Sequence, residues 1–95
     1  MRLEDVIQRP LITEKAAKKR EESNEYFFAV HPKADKNMIR LAVEKLFGVK
    51  VVHVYTMNVT GRNKRVGARV AKMSDWKKAI VKLAEKETIK IFEGA

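Results

Sequence analysis

Asp35-Lys36-Asn37-Met38-Ile39-Arg40-Leu41-Ala42-Val43-Glu44-Lys45-Leu46-Phe47-Gly48, followed directly by Val49-Lys50-Val51-Val52-His53-Val54-Tyr55-Thr56-Met57-Asn58-Val59, decides the fold. In the first half Ile39, Ala42, Val43, Leu46 and Phe47 recur at the spacing of an amphipathic helix. Asp35 stands where an N-cap is needed, and Gly48 where the chain must leave a helix in the left-handed region. In the second half the period drops to two residues. Val49, Val51, His53, Tyr55, Met57 and Val59 are expected on one face of a strand, with Val52 and Val54 on the other. A capped helix handed by a glycine into a long strand points to a mixed α and β fold.

Working outward, Tyr26-Phe27-Phe28-Ala29-Val30-His31 is aromatic and β-branched, ends at Pro32, and reads as a strand with its aromatics in the core. Thr13 to Glu22 follows Pro10 and reads as a polar helix, capped by Thr13, with Ala16 and Ala17 inward. Downstream, Ala79-Ile80-Val81-Lys82-Leu83 reads as a strand burying Ala79, Val81 and Leu83, and Thr88 to Phe92 as a short terminal strand. The expected fold class is α+β: an antiparallel sheet of three to four strands packed with helices as a sandwich, plus a long basic loop. The 95 residues leave room for one domain, spanning 1–95.

Charge is distributed unevenly along this frame. Lys and Arg number 21 against 12 Asp and Glu, a net charge of +9. Residues 61–78 alone carry +6 and residues 1–20 carry +3, while 21–60 and 79–95 are each balanced. The connection over residues 60–78 is far longer than a hairpin turn of about 2–5 residues, and long connections in small domains usually carry function. Excess charge on a segment the core does not need marks that segment for a polyanion.

Within it, Gly61-Arg62-Asn63-Lys64-Arg65-Val66-Gly67-Ala68-Arg69-Val70-Ala71-Lys72 interleaves phosphate-binding donors with glycines that let backbone approach a partner. Trp76, bracketed by Asp75 and Lys77-Lys78, has two readings, stacking on a base or covering the sheet edge. The chain has no cysteine, which removes disulfides and thiolate chemistry and fits a cytoplasmic protein. The N-terminus puts acidic residues where a signal peptide needs basic ones, and no apolar run approaches a membrane span. His31 and His53 lack clustered partners of metal-ligand spacing, and no phosphate-binding loop or nucleophile-elbow motif occurs. Neither an enzyme nor a metal or cofactor site is expected.

Arg9-Pro10-Leu11-Ile12-Thr13-Glu14-Lys15, Leu46-Phe47-Gly48-Val49-Lys50-Val51, Gly61-Arg62-Asn63-Lys64-Arg65 and Asp75-Trp76-Lys77-Lys78-Ala79 occur in that order. With them the chain resembles the bacterial large-subunit ribosomal protein twenty-three family from about residue 6 to 92. The resemblance implies an α/β-plait-like domain on large-subunit rRNA beside the mouth of the nascent-peptide exit tunnel, among neighbouring ribosomal proteins. It is expected to be ribosome-bound in the cytoplasm, neither inserted in a membrane nor an obligate homo-oligomer. The expected RNA contacts are Arg62, Asn63, Lys64, Arg65, Arg69, Lys72, Trp76, Lys77 and Lys78, with Thr56, Asn58, Arg9 and Lys15. Thr13, Glu14 and Lys15 match the family's docking point for trigger factor and the signal recognition particle, with Glu14 as the acidic contact. Tyr55 departs from the pattern, standing where the family commonly has Asn, as does Ala71 where a loop glycine is frequent.

Overall fold

The computed structural model describes residues 2–61, 63–72 and 74–89, with the backbone alone for 63–66 and 70–72. Its elements run α1 (Leu3–Val6), β1 (Ile7–Pro10), α2 (Glu14–Ser23), β2 (Glu25–Val30), α3 (Lys36–Phe47), β3 (Val51–Val59), β4 (Asn63–Val66), β5 (Arg69–Lys72) and β6 (Trp76–Leu83). Both long helices are capped as their sequences predict. The Thr13 hydroxyl accepts from the Ala16 amide at 3.1 Å, and the Asp35 carboxylate from the Met38 amide at 2.8 Å. Gly48, at φ 64°, closes α3 by donating its amide to the Glu44 carbonyl.

Four strands form one antiparallel sheet in the order β1-β2-β6-β3. Tyr26, Phe28 and Val30 of β2, Val54 of β3 and Ala79, Val81 and Leu83 of β6 point to one face. There they meet Ile39, Ala42 and Val43 of α3 and Val6 of α1. Phe28 also stacks on Phe47 at 5.8 Å between ring centroids. Each large apolar side chain buried here contributes about 1.5–3 kcal/mol. Phe27 and Ala29 alternate to the opposite face, outside that cluster, and are buried there together with Ala16 of α2. The result is three layers: α1 and α3, the sheet, then α2 over the β2 side alone. The α+β class stands, with helices on both faces.

Three of the differences from the sequence reading lie in the main sheet. The register of β3 against β6 slips between Val51 and His53, so that Val52 is an extra residue, a β-bulge. The bulge reverses the alternation: Val49, Val51 and Val54 are buried, while His53, Tyr55 and Met57 are exposed rather than continuing the buried face. The Arg40 guanidinium holds this place by donating to the carbonyls of Val51 and Val52 at 3.2 and 3.3 Å. Glu44 accepts from the Val51 amide at 3.2 Å, so α3 sets the point where the strand begins. Second, Ile7–Pro10 is a strand on the sheet edge, where Pro10 costs little because an edge position need not donate. Third, β6 starts at Trp76 rather than Ala79.

The end of the described chain is tied back without a strand. Thr88 and Ile89 are not in a strand, and residues 90–92 of the expected terminal strand lie outside the described residues. Ile89 is nonetheless buried, its amide donating to the Tyr26 hydroxyl at 3.4 Å. Asn24 joins this segment to the rest. At φ 54° it ends α2, and its side-chain amide donates to the carbonyls of Ala84 and Glu87, both at 3.0 Å. Asn24→Gly keeps the backbone conformation and loses both side-chain bonds, a cost of about 1–2 kcal/mol. Asn24→Ala adds the left-handed penalty and should lose about 1 kcal/mol more; urea unfolding of the two variants measures the difference, and equal stabilities would remove the backbone contribution.

Candidate nucleic-acid interface

The basic connection is not an irregular loop. Asn63–Val66 and Arg69–Lys72 pair as an antiparallel hairpin, Asn63 opposite Lys72 and Val66 opposite Arg69. Gly67 has φ 61°, whereas Ala68 is not at positive φ, the pattern of a two-residue type II′ turn. Val66-Gly67-Ala68-Arg69 carried that signal in its Gly-X pair; the density of charge around it obscured the strands. β4 and β5 pair with each other and with no strand of the main sheet. The Cα radius of gyration, 14.7 Å, accordingly exceeds the roughly 12 Å of a compact chain this long. At its root the Asp75 carboxylate accepts from the Gly61 amide at 2.7 Å, fixing where the hairpin leaves the sheet.

The hairpin distributes the expected RNA-contacting residues along both strands. Asn63, Lys64 and Arg65 lie on β4 and Lys72 on β5, placed by backbone register, while Arg69 starts β5 and is exposed. Arg62 lies outside the described residues. A two-stranded ribbon dense in Arg and Lys is a shape that enters nucleic-acid grooves and presents forked donors to phosphates.

The remaining expected residues fall on opposite faces of the sheet. Trp76, Lys78, Ile80 and Lys82 alternate away from Ala79, Val81 and Leu83, and so face away from α3. On that face Tyr55 lies opposite Ile80, Met57 opposite Lys78, His53 opposite Lys82 and Val59 opposite Trp76. The row continues from Lys78 to Ala29 and on to Arg9 at the other edge, where Arg9 is exposed. The Lys78 ammonium stands 4.6 Å from the centre of the Phe27 ring, a cation–π distance that holds it on this face. Thr56, Asn58 and Lys77 point to the face that α3 covers instead, and the Lys77 ammonium donates to the Ala34 carbonyl at 2.6 Å. Trp76 is half-buried.

Sequence reasoning did not place His53, Tyr55, Met57 and Lys82 on this outer face. Valines at 49, 51, 52 and 54 fit a strand buried on both faces as well as a bulged one, so the pattern alone did not locate the bulge. Thr13, Glu14 and Lys15 are exposed at the start of α2. No cluster of three or more His, Cys, Asp or Glu able to hold a metal occurs among the described residues, nor any helix long and apolar enough to cross a membrane.

The family model of ribosomal protein L23 matches residues 5–91. The chain belongs to this family. Over 92 residues it is 52% identical to the large ribosomal subunit protein uL23 of Anaeromyxobacter dehalogenans strain 2CP-C, covering 97% of this chain and 95% of that one. It is 49% identical to uL23 of Symbiobacterium thermophilum over 94 residues, covering 99% of each. Against uL23 of Treponema denticola it is 50% identical over 95 residues, the full length of both. As a member of the L23 family the chain is a ribosomal protein of the large subunit, part of the translation apparatus, and not an enzyme.

In this L23 fold the hairpin root hangs on Asp75. Asp75→Ala should raise hydrogen exchange at the Gly61 amide about tenfold while changing global stability by no more than about 1 kcal/mol. Unchanged exchange at Gly61 would show that the root does not depend on this bond.

Proposed function

We propose that the chain binds large-subunit rRNA beside the exit of the nascent-peptide tunnel. It does so as a single domain over residues 1–95, ribosome-bound in the cytoplasm and among neighbouring ribosomal proteins. It presents the start of α2 to trigger factor and the signal recognition particle. The observation that carries the RNA reading is the +4 charge of residues 61–75, ahead of β6, around a hairpin whose two strands pair with no strand of the main sheet. Such a segment adds self-repulsion and little burial, and a phosphate backbone supplies the missing counter-charge.

Arg62, Asn63, Lys64, Arg65, Arg69 and Lys72 form the hairpin contact, with Arg9, Lys15, Lys78 and Trp76 extending it across the sheet. Thr56, Asn58 and Lys77 make the contact at the hairpin root, where Lys77 keeps one donor on Ala34. With about six phosphates neutralised, the log–log salt slope of binding is roughly −4 to −5. Replacing Arg62, Lys64, Arg65 and Arg69 by Ala should leave the sheet folded and make that slope shallower by about 3–4. Filter binding to transcribed large-subunit rRNA at several salt concentrations measures it, and unchanged affinity at low salt would reject the hairpin as the main electrostatic contact.

The docking reading rests on the exposure of Thr13, Glu14 and Lys15 at one helix start. Thr13 spends its hydroxyl on the cap, leaving the Glu14 carboxylate as the free anionic group. Ribosomes carrying Glu14→Ala should co-sediment with less trigger factor while subunit assembly is unchanged. Equal recruitment by both ribosomes would remove Glu14 from the docking site.

A further inference from the structure

The half of the sheet that α2 leaves uncovered carries side chains that a solvent-facing sheet does not need. Tyr55 is 49% exposed and Met57 44% exposed, on a strand whose bulge turns them outward. The His53 ring meets the Tyr55 ring edge-on at 4.2 Å, with 69° between planes. An edge-on neighbour restrains a ring while leaving a face available. Ile80 lies directly opposite Tyr55 and forms the floor beside it. Cations flank the apolar centre on both sides: Lys78 opposite Met57, held over Phe27, and Lys82 between His53 of β3 and Glu25 of β2.

We propose that this half-face is a nucleobase-stacking platform, in which the Tyr55 ring takes one unpaired base of the RNA while Lys78 and Lys82 engage the flanking phosphates. The proposal rests on the rRNA-binding reading and goes beyond it, because it assigns a contact to aromatic stacking rather than to charge. Charge complementarity selects the occupant. The apolar centre is bounded by lysines directly opposite Met57 and His53 and, farther along the same row, by Arg9 at the sheet edge. An unpaired nucleotide offers an apolar face between two anions, which is that arrangement in reverse. An apolar protein surface would bury the Lys78 ammonium over the Phe27 ring with no counter-anion, whereas Lys82 has an acidic neighbour in Glu25, directly opposite it on β2.

The test uses the full chain and transcribed large-subunit rRNA. Tyr55→Ala and Tyr55→Leu are compared with the parent chain and with the hairpin variant in which Arg62, Lys64, Arg65 and Arg69 are Ala. Both Tyr55 variants should weaken binding about 5- to 150-fold, the range for one lost base stack, with the salt slope unchanged. Tyr55→Phe should bind within about twofold of the parent, since the ring and not the hydroxyl stacks. Chemical probing of the RNA should show one unpaired base losing protection with Tyr55→Ala and regaining it with Tyr55→Phe.

Tyr55→Ala binding as tightly as the parent overturns the platform, and if the hairpin variant still weakens, the rRNA reading stands without it. Parental affinity in Tyr55→Leu shows that apolar bulk suffices and also overturns stacking. No preference of the parent for the rRNA over an unrelated transcript removes both readings. Unchanged RNA affinity with poorer incorporation into subunits, or with loss of a dimer formed by the parent, would assign the face to a neighbouring protein or to a second copy.

Discussion

β6 lies between β2 and β3, and every other part of the molecule is arranged around that insertion. Its inner residues Ala79, Val81 and Leu83 complete the core that α3 covers, and among the described residues its backbone supplies the only strand partner that β3 has in the sheet. β3 and β6 are antiparallel neighbours with Val59 opposite Trp76, so a short turn would be enough to join them. The connection makes a detour out of the sheet instead, and since the core asks nothing of it, it is free to carry charge. The basic hairpin is an addition that strand order does not require.

The same strand divides the lysines. Lys77 and Lys78 are neighbours in sequence with equal charge, yet the pleat sends the first to the Ala34 carbonyl and the second over the Phe27 ring. Composition treats them alike, and only the register of β6 against β2 separates a cation that ties the sheet to the start of α3 from one that faces outward. A charge cluster therefore overstates its own interface wherever it runs into a strand.

How much was legible follows from the range of the forces involved. The capped helix at Asp35–Gly48 and the strand at Tyr26–Val30 were readable because their apolar spacing and end residues act within a few positions. Ile7–Pro10 was not, since a short edge strand containing proline has no local signature and exists because β2 offers it a partner. The outward turn of Tyr55 was lost for a related reason. It depends on one extra residue at Val52, held by Arg40 and Glu44 from a different element, and a period-two reading continues through such a bulge undisturbed. On the candidate site, the charged hairpin was visible in composition, whereas its strand pairing and the aromatic half-face needed long-range register.

Strand order also sets the order of events during synthesis. β3 stays without a partner until β6 is made, and β6 is the last strand of the described chain, so the sheet cannot close while translation is still under way upstream of Trp76. The pairing of β2 with β6 joins distant parts of the sequence, a slow contact to form. Residues 61–72 emerge before that contact exists. For a time the newborn chain is a polycation tethered to an unfinished core, and whatever polyanion it meets first encounters the hairpin segment ahead of the sheet.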